Sequence, residues 1–321
     1  MKESVMALIR ADLSGRSHTS ACPDLSAESN VTPARYTGIK HILAYIDGTE
    51  NDSAVLDHAL QLAQRFVSHI DVLHVRFDVH GVSAGTRYER YVDHLLDIPV
   101  ERVIAEAARH AHRHFEEWQF QHNLPLRESG LAIPTPSTLW REIVGYENEV
   151  VARLGRLCDL LVIARPNERS TSSSVMALET ALFDTCRPVL MVPNSEPANL
   201  FHRPLIAWNG SLEAARAVGF ALPFLTECEV GVDVFAAPEP KHHTATGELL
   251  RYLRWHGITA ERISVEESRP IGVSLLAQAK VKKAGLIVMG AYTHGHYRQF
   301  LFGGVTRHVM QHASIAVLLA H

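Results

Sequence analysis

The stretch Met289-Gly-Ala-Tyr-Thr-His-Gly-His-Tyr-Arg-Gln-Phe-Leu-Phe-Gly-Gly-Val-Thr306 has the residue types and spacing best suited to chemistry in this chain. It follows an apolar run, and its last glycines open a helical pattern at Val305. Gly303 and Gly304 carry no Cβ, so their amides can approach an anion closely. A helix starting there adds unpaired N–H groups and the positive end of its dipole. Thr306 contributes a hydroxyl in the first turn and Arg298 a charge suited to a phosphate. The chemistry this predicts is the holding of a phosphorylated ligand. A glycine pair before a helix also has a plainer use, a tight entry that serves packing only.

Other candidates are weaker. Among 20 histidines, His308 and His312 stand i, i+4 on a predicted helix, with His294 and His296 nearby. A zinc site needs a third ligand and an oriented surround, so no bound metal is expected beyond magnesium accompanying a nucleotide. Asp47 with His74, or Asp233 with His242 and His243, would be the acid/base pairs to consider. No nucleophile elbow, H-E-x-x-H or kinase motif set accompanies them, and Asp47 at a strand end equally suits a turn or helix cap. No catalytic residue is assigned. Cys22, Cys158, Cys186 and Cys228 show no C-x-x-C pairing, a usage that fits reduced thiols in a cytoplasmic protein.

The elements that must position these residues occur twice. Ile39-Lys-His-Ile-Leu-Ala-Tyr-Ile-Asp-Gly-Thr49 reads as a buried strand, a polar turn and then a helix with Ala54, Leu56, Ala59, Leu60, Leu62 and Ala63 on one face. Arg203-Pro-Leu-Ile-Ala-Trp-Asn-Gly-Ser211 repeats the pattern, with Ala214, Ala215, Val218, Ala221 and Leu222 following. An acid near each helix start, Glu50 and Glu213, suits the dipole. Further strands are expected at Ile70–Val75 and Val230–Ala236, and long helices at Val100–His122 and Thr246–His256. Leu160–Ala164 matches Leu286–Met289, both apolar throughout as in a strand covered on two faces. Helices at Ala177–Thr185 and Val305–His312 lead to closing strands at Pro188–Val192 and Ile315–Leu319. This alternation predicts parallel, doubly wound α/β sheets. Pro193–Arg203 reads as the linker between two domains, 38–195 and 202–321. Residues 1–37, rich in Ser, Ala, Asp and Glu, are expected to form a mobile arm.

The glycine-rich segment resembles that of the universal stress protein family, whose ATP-binding members carry G-x2-G-x9-G-[S/T] after the fourth strand. The likeness runs from about Ile39 to the C-terminus. Gly290 falls on the first glycine, Thr293 on the second, Gly303 on the third and Gly304 on the Ser/Thr. Two positions thus depart, and Gly295 lies out of register to replace the missing glycine. The resemblance implies two tandem Rossmann-like (adenine nucleotide alpha hydrolase-like) domains, each a five-stranded parallel sheet with helices on both faces. It implies a phosphate site at Gly290, Thr293, Gly303, Gly304, Val305 and Thr306. The family's first-strand Asp, which contacts the nucleoside, corresponds to Asn209 beside Ala207 in the second copy and to Asp47 in the first. The first copy lacks the glycine loop, reading Arg165-Pro-Asn-Glu-Arg-Ser-Thr-Ser-Ser-Ser174 instead, with Arg165 near the phosphate position.

Charge and composition narrow the functions further. A net charge of −4 argues against sequence-independent nucleic-acid binding. No apolar run reaches the roughly 20 residues of a membrane span. The expected protein is a cytoplasmic stress-response factor that binds ATP or AMP mainly in the second domain. Any hydrolysis should be slow, as no Walker lysine or base is present. A nucleotide-free interaction scaffold is the alternative, and an enzyme using the interdomain pocket a third. The two domains are expected to face each other as an intramolecular pseudo-dimer joined through their last strands, with homodimers as a further assembly. Trp140, Trp208 and Trp255 are expected in the core or the seam.

Overall fold

The computed structural model describes residues 38–79, 100–128, 135–166, 172–236, 245–263, 269–291 and 304–321. The arm expected over 1–37 lies outside the described residues. The first half runs β1 (His41–Tyr45), α1 (Asp52–Phe66), β2 (His69–Phe77), α2 (Val100–Gln121), β3 (Ser137–Gly145), α3 (Glu147–Gly155), β4 (Leu160–Ala164), α4 (Ser172–Asp184) and β5 (Val189–Val192). The second runs β6 (Leu205–Trp208), α5 (Leu212–Thr226), β7 (Val232–Ala236), α6 (Ala245–Trp255), β8 (Ala260–Ile263), α7 (Ile271–Val281), β9 (Leu286–Gly290), α8 (Gly304–His312) and β10 (Ala316–Ala320).

These strands form one continuous sheet in the order β3-β2-β1-β4-β5-β10-β9-β6-β7-β8. Read outward from the centre, each half shows the same sequence of strands. Neighbours within each half are parallel. At the centre β10 lies antiparallel to β5, with Val317 opposite Met191 and Leu319 opposite Val189. The two sheets expected to face each other are therefore joined edge to edge. Val189–Val192 and Ala316–Ala320 are fully buried, and each leaves an edge that needs a partner; pairing them removes two edges at once.

Strand alternation sends Ile42 and Ala44 to one face and Leu43 and Tyr45 to the other. The first face is covered by apolar residues of α1, α2, α5 and α6, such as Leu56, Phe115, Phe224 and Leu253. The second is covered from α3, α4, α7 and α8, with Val151, Leu178, Leu275 and Val309. Helices thus lie on both faces, and the innermost strands β4, β5, β9 and β10 read as apolar runs.

Some expectations change. The strands β3 and β8, expected in number but given no position from the sequence, are the outer edges of the sheet, and their polar residues (Arg141, Glu142, Glu261, Arg262) blunt those edges at the cost of an apolar signature. Glu50 precedes α1 rather than lying in it, and Asp52, 1% exposed, is the acid of that first turn. Trp140 packs on Phe115 at 5.4 Å between ring centroids, and Trp208 packs against the core. Trp255 is instead 83% exposed at the end of α6, since its neighbour Leu253 takes the core-facing position.

Candidate functional site

Parallel sheets of this kind offer ligands the edge at the carboxyl ends of their strands. In the second half β6 and β9 are neighbours, Ala207 opposite Met289, so Asn209 and Gly290 emerge side by side. Asn209 is exposed, and its Oδ1 accepts the Ser211 amide at 3.1 Å. Ser211 in turn caps α5, its Oγ accepting the Ala214 amide at 3.1 Å. Gly290 lies directly beneath this cap. A Cβ built there would stand 2.5 Å from Ala214 N and 2.7 Å from the Glu213 carbonyl carbon. The first family glycine therefore has a packing reason in addition to any ligand.

At the far end of the segment, Gly304 begins α8 and is exposed; a Cβ there would meet no atom of the described residues within 4 Å. Val305 is half-buried. Thr306, expected to offer a hydroxyl, is buried at 6% exposure, so its side chain faces protein. Thr293, Arg298 and Gly303 lie outside the described residues.

The corresponding edge of the first half is occupied by its own side chains. Asp47 Oδ1 accepts Thr49 Oγ1 at 2.7 Å and the Thr49 amide at 3.3 Å, while Oδ2 accepts Ser174 Oγ from the first turn of α4. A carboxylate thus already sits at the helix N-terminus where a phosphate would lie. Asp52 accepts the amides of Asp47 and Gly48, each at 3.1 Å, and His114 Nδ1 at 2.9 Å. Burial pushes the Asp52 carboxyl above its ordinary range, with His114 opposing the shift. The hydrogen bond to Asp52 holds the His114 imidazole above its usual value. Gly48 has φ of +83°, and a Cβ on it would lie 2.3 Å from Ala107 O, so α2 rests on this turn backbone to backbone.

Arg165, expected near the first-half phosphate position, follows directly on β4. Its Nη1 donates to Gln311 O at 2.6 Å, crossing the central seam to the last turn of α8, where the negative end of the helix dipole favours a cation. Burial lowers its pKa from the ordinary arginine value.

The acid/base pairs do not assemble. His74 Nδ1 bonds Ile46 O at 3.1 Å and its ring stacks on Trp140, away from the Asp47 carboxylate. Asp233, 1% exposed, meets Arg203 Nε at 2.7 Å and Lys282 Nζ at 3.9 Å; His242 and His243 lie outside the described residues. His308 and His312 stack with centroids 4.4 Å apart, and His312 Nδ1 is turned to His308 O. His294 and His296 are outside the described residues, among which no cluster of three metal-binding side chains occurs.

Sequence reasoning missed one buried arrangement entirely. Asp71 on β2, 4% exposed, accepts His41 Nε2 at 3.0 Å, His69 Nε2 at 3.2 Å and Arg141 Nη1 at 2.9 Å. Asp233 stands at the equivalent place on β7, and Arg203 at the place of His41, each pair the same interval apart along the chain. The only signal was a lone Asp inside an apolar strand in both copies, which asks for a buried partner.

Residues 235–321 match the model of the universal stress protein family. That span runs from the last two residues of β7 to His321 and includes the whole glycine-rich segment. The structure is also similar to a universal stress protein from Archaeoglobus fulgidus DSM 4304, at 18% identity and a TM-score of 0.60, covering 89% of this chain and 97% of that one. A functionally unknown protein from Pseudomonas aeruginosa PAO1 aligns at 14% identity and a TM-score of 0.51, over 88% and 93% of the two chains. No curated protein matches the chain. At these identities the likeness is one of fold, an α/β fold with a predominantly parallel sheet. Among the described residues no helix is long and apolar enough to cross a membrane.

Proposed function

We propose that this chain is a tandem of two universal stress protein domains, 38–195 and 202–321, in which the second binds an adenine nucleotide, ATP or AMP, and the first has become a structural partner. The observation that carries this reading is the placement of the glycine-rich segment. It connects the carboxyl end of β9, beside Asn209, to the N-terminus of α8, within the span that matches the family model. Gly290, Thr293, Gly303, Gly304, Val305 and Thr306 would surround the phosphates, and Ala207 and Asn209 the nucleoside. The duplication is supported by the repeated strand order and by the equivalent Asp71 and Asp233 pairs. The first half, with Asp47 bonded to Ser174 and α2 seated on Gly48, is the poorer binder. The protein acts in the cytoplasm in this reading, signalling through occupancy rather than turnover, with magnesium only as the nucleotide's companion.

The test is direct. Protein purified without added ligand and then denatured should release adenine nucleotide, and ATP or AMP should raise the melting temperature. A ligand at a hundredfold excess over its Kd stabilises by about 2.7 kcal/mol. Gly303→Asp, which puts a negative charge where a phosphate would lie, should abolish both results. Absence of released nucleotide and of any thermal shift with ATP or AMP would leave a nucleotide-free scaffold as the reading.

A gain-of-function variant follows from the open space at Gly304. Gly304→Ser restores the family hydroxyl, and its Cβ meets no atom of the described residues within 4 Å. Titration calorimetry should show affinity for ATP rising roughly threefold to tenfold, as one hydrogen bond is worth about 0.5–1.5 kcal/mol. Gly304→Ala, which fills the same space without a hydroxyl, should show no such rise.

A further inference from the structure

Helix α2 packs Ala111, Phe115 and Trp118 into the core and rests on the turn at the carboxyl end of β1, and its polar links to α1 are histidine–aspartate pairs. His114 Nδ1 meets Asp52 Oδ2 at 2.9 Å, and His122, in the turn that ends α2, lies 3.9 Å from Asp57 Oδ1. Both aspartates belong to α1. The two helices are therefore joined by two histidine–aspartate pairs five residues apart along α1. Beyond the Asp52–His114 pair, toward the N-terminus of each helix, α2 presses its backbone on the β1–α1 turn, Ala107 O against Gly48. Counting from Asn209 as from Asp47, the second half has Ala214 and Gly219 where the first has Asp52 and Asp57. Its α5–α6 pair has no carboxylate at either place.

We propose that α2 is a histidine-latched cover over the first half's ligand edge, held at the Asp52–His114 pair and loosened as pH rises. This does not depend on nucleotide binding in the second half. Its ligand is the proton, and its output is access to Asp47 and the α4 N-terminus.

The direction follows from the charges that surround each pair. His114 faces Asp52, with Asp47 behind it, and its own helix brings Glu117, Arg113 and, at 6.2 Å, the ring of His110. Asp57 faces His122, with Glu196 of the linker nearby. The charged groups of β2 and β3 are engaged elsewhere, His69, Asp71 and Arg141 with one another and Arg76 with Glu142. His74 is turned to Ile46 O. The bond to Asp52 raises the His114 pKa from 6.5. Its contribution is complete below that ordinary value and is lost as pH rises through the raised one. A neutral imidazole still donates one N–H, so the cover loosens without unfolding.

Hydrogen exchange by mass spectrometry on the full chain reads this out without any variant. After correction for intrinsic exchange, protection over residues 104–116 and 47–52 should fall severalfold between roughly pH 6 and pH 9, as the charged form of the His114–Asp52 bond is lost. The equivalent stretches of the second half, in α6 and after β6, should not change. His114→Arg should keep the protection and flatten its pH dependence, whereas His114→Gln should lower it at both pH values. His41→Arg, outside the latch, should leave the response unaltered. Equal protection at both pH values, or a loss spread evenly over both halves, would overturn the proposal.

Discussion

Gly290→Ala is expected to unseat the first turn of α5 and, with it, any nucleotide held by the second half. The added Cβ would lie 2.5 Å from Ala214 N and 2.7 Å from Glu213 C, and these are backbone atoms that cannot swing aside. Either β9 or the α5 cap must shift. Overpacking of this kind costs roughly 1–3 kcal/mol, and the upper end is expected because the Ser211 cap and the Asn209 turn move together. Chemical denaturation of nucleotide-free protein measures the packing part alone. ATP or AMP affinity should fall at least about tenfold, since a cap displaced by even a fraction of an ångström misplaces Asn209. Gly304→Ala is the matched control, with no atom of the described residues within 4 Å of the new Cβ and little or no expected cost. An unchanged denaturation midpoint in Gly290→Ala would show that the close approach of α5 does not constrain the site.

The second large effect lies at the opposite ends of the strands. Asp71→Asn should cost roughly 2–4 kcal/mol at neutral pH, because it removes a buried charge that three donors share. Burial alone would raise the Asp71 pKa, but the bonds from His41, His69 and Arg141 outweigh it and hold the carboxyl well below the usual range. Its stabilisation is therefore present above the ordinary carboxylate value of 3.8 and is lost as pH falls through the depressed one. His41 behaves in the opposite sense. Burial opposes its charge, yet Asp71 and the Leu157 carbonyl raise its pKa from 6.5. That contribution is complete below 6.5 and fades as pH rises through the raised value. Urea denaturation should thus show the wild type losing stability on both sides, and Asp71→Asn should flatten the acid limb. His41→Arg borrows the residue that the second half places opposite Asp233 at the equivalent position. It should remove the share of the alkaline loss that His41 carries, about 1.4 kcal/mol per pK unit, while the α2 latch keeps its own. An alkaline limb identical in wild type and His41→Arg would exclude His41 as a contributor.

These outcomes bear on how the two halves differ. The first concentrates histidine–aspartate pairs at Asp52, Asp57 and Asp71. The second holds its buried Asp233 with arginine and lysine. Side chains that keep their charge across the physiological range cannot report pH there, whereas histidines can.

The sequence by itself determined the α/β class and the inner strands, because these rest on local properties. Leu160–Ala164, Leu286–Met289 and the two closing strands are apolar throughout, and only a strand covered on both faces uses such a run. Strand β9 and the start of α8, which flank the glycine-rich segment, were legible for the same reason, since each is a local pattern. The edge strands β3 and β8 were not, because an edge exposed to water carries the polar residues of a loop. Partners remote in the chain were not legible either. Nothing near Asp71 names His41 or Arg141, nothing near Arg165 names Gln311, and nothing near Gly48 shows α2 resting on it. Only the register of β1 against β2, the antiparallel joining of β5 to β10 and the packing of α2 across α1 bring those atoms together. Periodicity reports which face of an element is buried, but the residue that meets it there is decided by tertiary packing.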